Sequence, residues 1–397
     1  MKSPLRKAVA AVAVLFLVLS FSPLLAQSHV DNPGQTAMAQ SHVDNPGQTP
    51  MQVNDLIVPR HAVLPPTLSE GIATRAVAQP NGQLILAAST PLTTWNGSFV
   101  SAGKTFTFNM VGTAPTTGTS TTVQAFLIPI KLVIGTQTFD PQTVLSNGKT
   151  VVNNTVASPV FATGVSFTSG GVSMGSTQYL DAYQRANFWG TVSAHTGYHV
   201  LLGGPTVEPE VTLTVPKRSG TTGTPFGHTA AEVDINYFDA QVQTIIKNIT
   251  AIQPNMLPII ITYDTYLTQN HSCCIGGYHS SFGLTSAPQS YAVFSYVDHP
   301  GDFSQDVSAL SHEIGEWMDD PLVVTTGGNN TPCGILENGD PLENTANFGG
   351  FPFTLSGFTY NLQDLATMPY FGAPPSTSVN NEFTFQGQHL TQCQNGS

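Results

Sequence analysis

The sequence predicts an α+β protein: a β-rich N-terminal lobe followed by a zincin-like segment in which a strand precedes the active-site helix. Three observations carry this. Charged residues make up only 9% of the chain, while glycine (36) and proline (29) are abundant, a composition suited to many short strands and turns. "DAYQRANFW" (Asp181–Trp189) and "YFDAQVQTIIKNI" (Tyr237–Ile249) read as helices, the second with an apolar stripe of Phe238, Val242, Ile245, Ile246 and Ile249. The strand-like runs "LPIIITY" and "YAVFSYV" then lead into "SHEIGEWMDDP", Ser311 to Pro321.

The chain opens on "MKSPLRK" and a 19-residue apolar run ending at Ala26, which read as a secretory signal, residues 1–26. The run is nearly long enough to span a bilayer, but Ser20, Ser22 and Pro23 near its end favour cleavage. Residues 26–51 repeat a polar 13-mer, "AQSHVDNPGQTAM" then "AQSHVDNPGQTPM". Two such copies cannot stack into a solenoid, so residues 27–78 are expected to be a disordered linker. A β-rich lobe is expected over 79–178, where "KTFTFNMVG" alternates and "TVQAFLIPIKLVIG" is β-branched. Pro129 inside the latter suggests a bulge or an edge. An α+β, metallohydrolase-like metal-binding domain is expected over 179–397.

Charge excludes one class of partner. Without Lys2, Arg6 and Lys7, 9 basic residues face 24 acidic ones, so a nucleic-acid binder is not expected. From Ala251 onward there are 13 Asp/Glu and no Lys or Arg. Such a surface aids solubility, or some of these acids face a bound cation. The cysteines, Cys273, Cys274, Cys333 and Cys393, suggest two disulfides in an oxidising compartment. A bond between adjacent cysteines strains the peptide, so each is expected to reach a distant partner. One from Cys273 or Cys274 to Cys333 would staple two loops of the site described next.

A helix near 303–320 follows from a capping box at Asp302 and Gln305 and from Pro321, which cannot continue it. Val307, Leu310, Ile314 and Trp317 give it an apolar face. His312 and Glu316, four apart, stack on a neighbouring face and can converge on one ion at roughly 2.0–2.2 Å from each donor. Glu313 holds the place of the general base in H-E-x-x-H zinc hydrolases, although the pattern here is H-E-x-x-E. Asp319 and Asp320 lie at the helix C-terminus, where the macrodipole disfavours anions. Gly315 in the helix interior costs about 1 kcal/mol against alanine, which a close approach by backbone, substrate or packing would explain. Downstream, "CGILENGDPLEN" supplies Glu337 as third ligand and Asp340 as partner of His312, with Glu343 nearby. Upstream, "HSCCIGGYHSSF" offers His271 and His279, the latter as a fourth ligand.

"CCIGGYHSSF", "YAVFSYV", "DVSALSHEIGEWMDDP" and "ENGDP" resemble, in order and spacing, blocks of the EXORDIUM-like, phosphate-induced family of secreted proteins. The likeness covers roughly residues 255–345. It implies His279, His312, Glu313, Glu316, Glu337 and Asp340 as a shared polar set, and a cell-wall or apoplast setting. Leu342 stands where the family has a cysteine.

The leading expectation is a secreted zinc-dependent hydrolase, a metallopeptidase acting on extracellular protein, peptide or cell-wall material. Glu313 would take a proton from a water that zinc acidifies. The alternative is a non-catalytic extracellular or wall-associated protein with a structural Zn²⁺ or Ca²⁺. Neither involves a membrane once the signal is cleaved. "GVSMG", Gly171 to Gly175, also fits G-x-S-x-G with Ser173 as nucleophile, but the polar, glycine-rich segment before it is not the strand an elbow requires.

Overall fold

The longest strand among the described residues organises the fold. Ser120–Ile134 forms a 15-residue strand inside a sheet that counts twelve strands among the described residues. The computed structural model describes residues 60–69, 74–78, 84–323, 331–387 and 390–393. The signal segment and the tandem repeat fall outside them. Along the sheet the order is His199–Val207, Ser120–Ile134, Leu257–Tyr263, Ala287–Tyr296, Ser272–Leu284, Thr265–Gln269, Ala230–Asp234 and Gly220–Gly223. The first four run parallel and the Ala287–Tyr296/Ser272–Leu284 pair is antiparallel. The protein is therefore α+β and rich in strands.

Residues 79–178 and 179–397 share this sheet. Ser120–Ile134 lies between His199–Val207 and Leu257–Tyr263, so no boundary at 178/179 separates two sheets. Pro129 marks neither an edge nor a bulge. Its strand pairs with His199–Val207 up to Leu127 and with Val211–Thr214 from Ile130. The proline sits in the gap between them, where a missing N–H costs no ladder bond.

Part of the expected linker is also ordered. Arg60–Val63 and Thr67–Ser69 pair parallel with Ser272–Leu284. That strand is 13 residues long, and Thr265–Gln269 covers it only as far as Ile275. The N-terminal segment takes the remaining edge, bringing Val63 level with His279.

Helix Ile235–Asn248 is capped by Asp234, whose carboxylate accepts the Tyr237 N–H at 2.9 Å. Phe238, Val242 and Ile246 of its stripe are buried on the sheet, while Ile245 and Ile249 are partly covered. The helix expected near 303–320 spans Ser308–Asp319. Its predicted capping box does not form, because Asp302 Oδ1 accepts the Ser304 N–H and Gln305 Oε1 accepts the Gly301 N–H. Those bonds close a turn ahead of the helix. Nor does the helix keep a wet face: every residue from Ser308 to Asp319 is buried. The strands Ser272–Leu284 and Ala287–Tyr296 pack on it, as does the hairpin Gly350–Leu355/Phe358–Gln363. Gly315 is explained by packing, since a Cβ there would lie 2.5 Å from Leu365 Cδ1.

Two cysteine pairs lie at disulfide distance, with a pairing other than the one expected. Cys273 and Cys274 bond to each other across a cis peptide, which brings their Cα atoms to 3.1 Å. Cys333 pairs with Cys393, so no cystine staples the Cys273 loop to the one carrying Glu337. Ser173 lies in a hairpin of Val165–Ser169 with Val172–Thr177, and its Oγ accepts the Gly175 N–H. No helix begins at it, which removes the nucleophile elbow. Among the described residues no helix is long and apolar enough to cross a membrane.

Candidate metal centre

Three elements converge beneath the N-terminal strand. The helix Ser308–Asp319 supplies His312, Glu313 and Glu316 one turn apart. Strand Ser272–Leu284 supplies His279. The loop after the helix supplies Glu337 and Asp340. Relative exposures of His279, His312, Glu313, Glu316 and Glu337 are 1, 0, 0, 2 and 5%, so a dry pocket holds three carboxylates, none of them in a salt bridge with Lys or Arg among the described residues. Burial of such groups demands a compensating partner.

His279 is oriented as a ligand. Its Nε2 lies 3.0 Å from the Asp320 carbonyl, and donating there leaves Nδ1 as a bare lone pair. That is how ligating histidines are commonly held. Nδ1 lies 3.6 Å from Glu313 Oε2, 3.8 Å from Glu316 Oε2 and 3.9 Å from Glu337 Oε2, and makes no hydrogen bond. A proton on Nδ1 does not account for this, because burial pulls the His279 pKa down to about 4. Spacings of this size suit donors around a shared cation better than bonds to one another.

A second convergence adjoins the first. His312 Nε2 is 2.9 Å from Glu316 Oε1 and 3.5 Å from Asp340 Oδ1, yet neither ring nitrogen of His312 has a hydrogen-bond partner. Gly339 makes room for this ring: a Cβ there would lie 2.3 Å from His312 Nδ1. The Gly339 N–H donates to Glu316 Oε1 at 3.1 Å. The expected link of Asp340 to His312 is thus present as a contact. Glu313 lies among the candidate ligands, its Oε2 the nearest of the three carboxylates to His279 Nδ1.

The clustered acids perturb one another. Burial raises the pKa values of Glu313, Glu316 and Glu337 well above the carboxylate range, and neighbouring carboxylates add to the shift. For His312, burial pulls the pKa down, but Asp340 and Glu313 outweigh it and the net shift is upward. Buried His/Glu/Asp groups here could hold a metal ion: His279, Glu316 and Glu337; His312, Glu313 and Glu316; and His61, His312 and Glu343 each place one ligand atom apiece within 4.8 Å.

Two members were not assigned from the sequence. His61 Nδ1 sits 2.8 Å from Glu313 Oε1, and its ring stacks on His312 at 3.7 Å. Its backbone N–H donates to Glu343. "PRHAV" carries no signal for this, since only the parallel pairing of residues 60–63 delivers His61. Glu343 was visible as an acid of the right loop. Among the other residues singled out, His271 is exposed in a turn at φ +65°. Asp319 faces neutral donors instead of a cation: Tyr183 Oη at 2.9 Å, Asn338 Nδ2 at 3.1 Å and the Gln184 amide. Asp320 contributes its carbonyl to His279. Cavities of about 450 and 460 Å³ lie elsewhere, one beside Ile246 and Phe282 and the other beside Trp95 and Phe188.

No family model, curated protein or solved structure matched the chain.

Proposed function

We propose that the protein is a secreted zinc-dependent hydrolase, peptidase-like in its use of a buried glutamate as base. The observation that carries this reading is the bare Nδ1 of His279, aimed at three buried carboxylates. Imidazole argues for zinc over calcium. In the proposal His279, Glu316 and Glu337 hold the ion, with His312 on the far side of Glu316. Bound zinc would lower the pKa of its water and polarise a carbonyl.

Glu313 is suited to accept the proton. Burial raises its pKa above the ordinary carboxylate range, the direction in which enzymes tune a glutamate that serves as base. His61 Nδ1 holds Oε1 while Oε2 stays without a hydrogen bond, so one oxygen is fixed and the other free. The basic and apolar N-terminus, the cysteine pairs and the EXORDIUM-like blocks support an extracellular setting.

The strand Arg60–Val63 covers the centre, so substrate would have to displace it. That burial favours the second reading, a non-catalytic protein with a structural Zn²⁺ or Ca²⁺. Metal content by mass spectrometry of the purified protein, of Glu316→Gln and of Glu313→Gln tests both. Zinc lost in Glu316→Gln but kept in Glu313→Gln, with peptide hydrolysis lost in both, is the expected pattern. Calcium, or zinc without hydrolysis in the wild type, supports the structural reading. Protein that holds no metal after soaking sinks both.

A further inference from the structure

We infer that the centre holds two divalent ions bridged by Glu316, an inference that rests on the metal-centre reading above and extends it. The two oxygens of Glu316 address different histidines. Oε2 lies on the His279 side, 3.8 Å from Nδ1, and Oε1 on the His312 side, 2.9 Å from Nε2. Among the described residues, no group with all its ligand atoms within 4.8 Å contains both histidines. A single ion taking both imidazoles together with Glu316 needs all three donors within about 4.2 Å of one another, given bond lengths near 2.1 Å. The side chains instead divide into two sets with one shared carboxylate.

The first set is His279 Nδ1, Glu316 Oε2 and Glu337 Oε2, with Glu313 Oε2 3.6 Å from the imidazole nitrogen. The second is His312, Glu313 and Glu316, with Asp340 Oδ1 3.5 Å from His312 Nε2. Each contains a buried imidazole nitrogen with no hydrogen-bond partner. One bare nitrogen would be served by one ion. Two, on opposite sides of one carboxylate, call for two.

Charge points the same way. Glu313, Glu316, Glu337, Asp340 and Glu343 surround the centre, and Arg60 is the cation that acts on Glu343. With all five ionised, one divalent ion leaves three negative charges, whereas two leave one, which Arg60 can offset. Two ions roughly 3.5–4 Å apart can hold both the attacking and the leaving oxygen of a hydrolytic displacement. The covalent chemistry needs nothing beyond water.

The test uses the full chain, stripped with chelator and reloaded with Mn²⁺ or Zn²⁺. Metal per chain is measured by mass spectrometry, and the Mn²⁺ form is examined by electron paramagnetic resonance. Two ions per chain are expected, with an exchange-coupled Mn²⁺ spectrum. His279→Ala and His312→Ala should each retain one ion, with an isolated six-line signal. Should either variant fail to fold, the wild-type stoichiometry and spectrum still decide. One ion per chain, or two giving uncoupled six-line spectra, overturns the bridged pair and leaves the hydrolase reading standing. No ion at all overturns both.

Discussion

Gly339→Ala separates steric accommodation of His312 from every other role of the loop. Gly339 has φ −85° and ψ −38°, a conformation open to any L residue. With space available, alanine would stabilise the fold by about 0.4–1 kcal/mol through the unfolded state. Space is not available: the added Cβ would lie 2.3 Å from His312 Nδ1, 2.4 Å from Cε1 and 2.7 Å from Cγ. The ring is wholly buried and stacked on His61, so it cannot retreat without moving a second ring. Overpacking of this kind costs about 1–3 kcal/mol, leaving a net loss of up to about 2.5 kcal/mol. Urea unfolding in the presence of chelator reads that loss as a lower midpoint at unchanged slope. Competition with a chromophoric chelator should show metal affinity reduced about 10–100-fold, the scale of effects from disturbed ligand orientation. A variant as stable as wild type or more so, with full affinity, would refute the idea that glycine is needed to admit His312.

Three further predictions follow the same geometry. Asp306 and Glu343 are both pushed up to about 8 by burial, so the folded protein holds protons there that the unfolded chain has released. Stability of the metal-free protein should therefore fall as pH rises from 6.5 to 8, and a rise in the urea midpoint over that range would contradict the assignment. Asp319→Asn puts an amide donor against Tyr183, Gln184 and Asn338 and should cost about 1–3 kcal/mol. Metal content should stay at the wild-type value, and loss of an ion would mean that Asp319 belongs to the centre. His61→Ala removes the ring over His312 and the bond to Glu313, so chelator should extract metal severalfold faster; an unchanged extraction rate would show that the N-terminal strand does not guard the site.

The sequence made the helix legible because its information is local. His312, Glu313 and Glu316 share one turn, and their mutual geometry follows from helical pitch alone. Glu337, Asp340 and His279 were reachable because few residue types can complete a metal site and few such residues lie nearby. His61 was not, since nothing in "PRHAV" says that residues 60–63 add to the edge of Ser272–Leu284. That edge exists only because Thr265–Gln269 stops short. The capping box failed for a related reason: Asp302 and Gln305 have the right spacing, but their bonds close the preceding turn instead. Asp319 misled in a different way. Its charge at a helix C-terminus looked unmatched in sequence, yet its partners Tyr183, Gln184 and Asn338 are neutral and come from far along the chain.

The absence of Lys and Arg after Lys247 acquires a physical meaning once the fold is known. Buried carboxylates can be balanced by basic side chains, by protons or by metal. A lysine or arginine inside the centre would occupy the atoms of His279, Glu313 and Glu337 that now make no hydrogen bond. Protons alone would quiet Glu313, Glu316 and Glu337, whose pKa values are raised, but they leave His279 Nδ1 without a partner, because burial keeps that imidazole neutral. A metal ion accounts for both at once: it takes the lone pair of the neutral imidazole and displaces the protons from the carboxylates. The acids and the histidine can thus be served by the same partner for opposite reasons, which is the pattern expected of a pocket that could hold a metal ion.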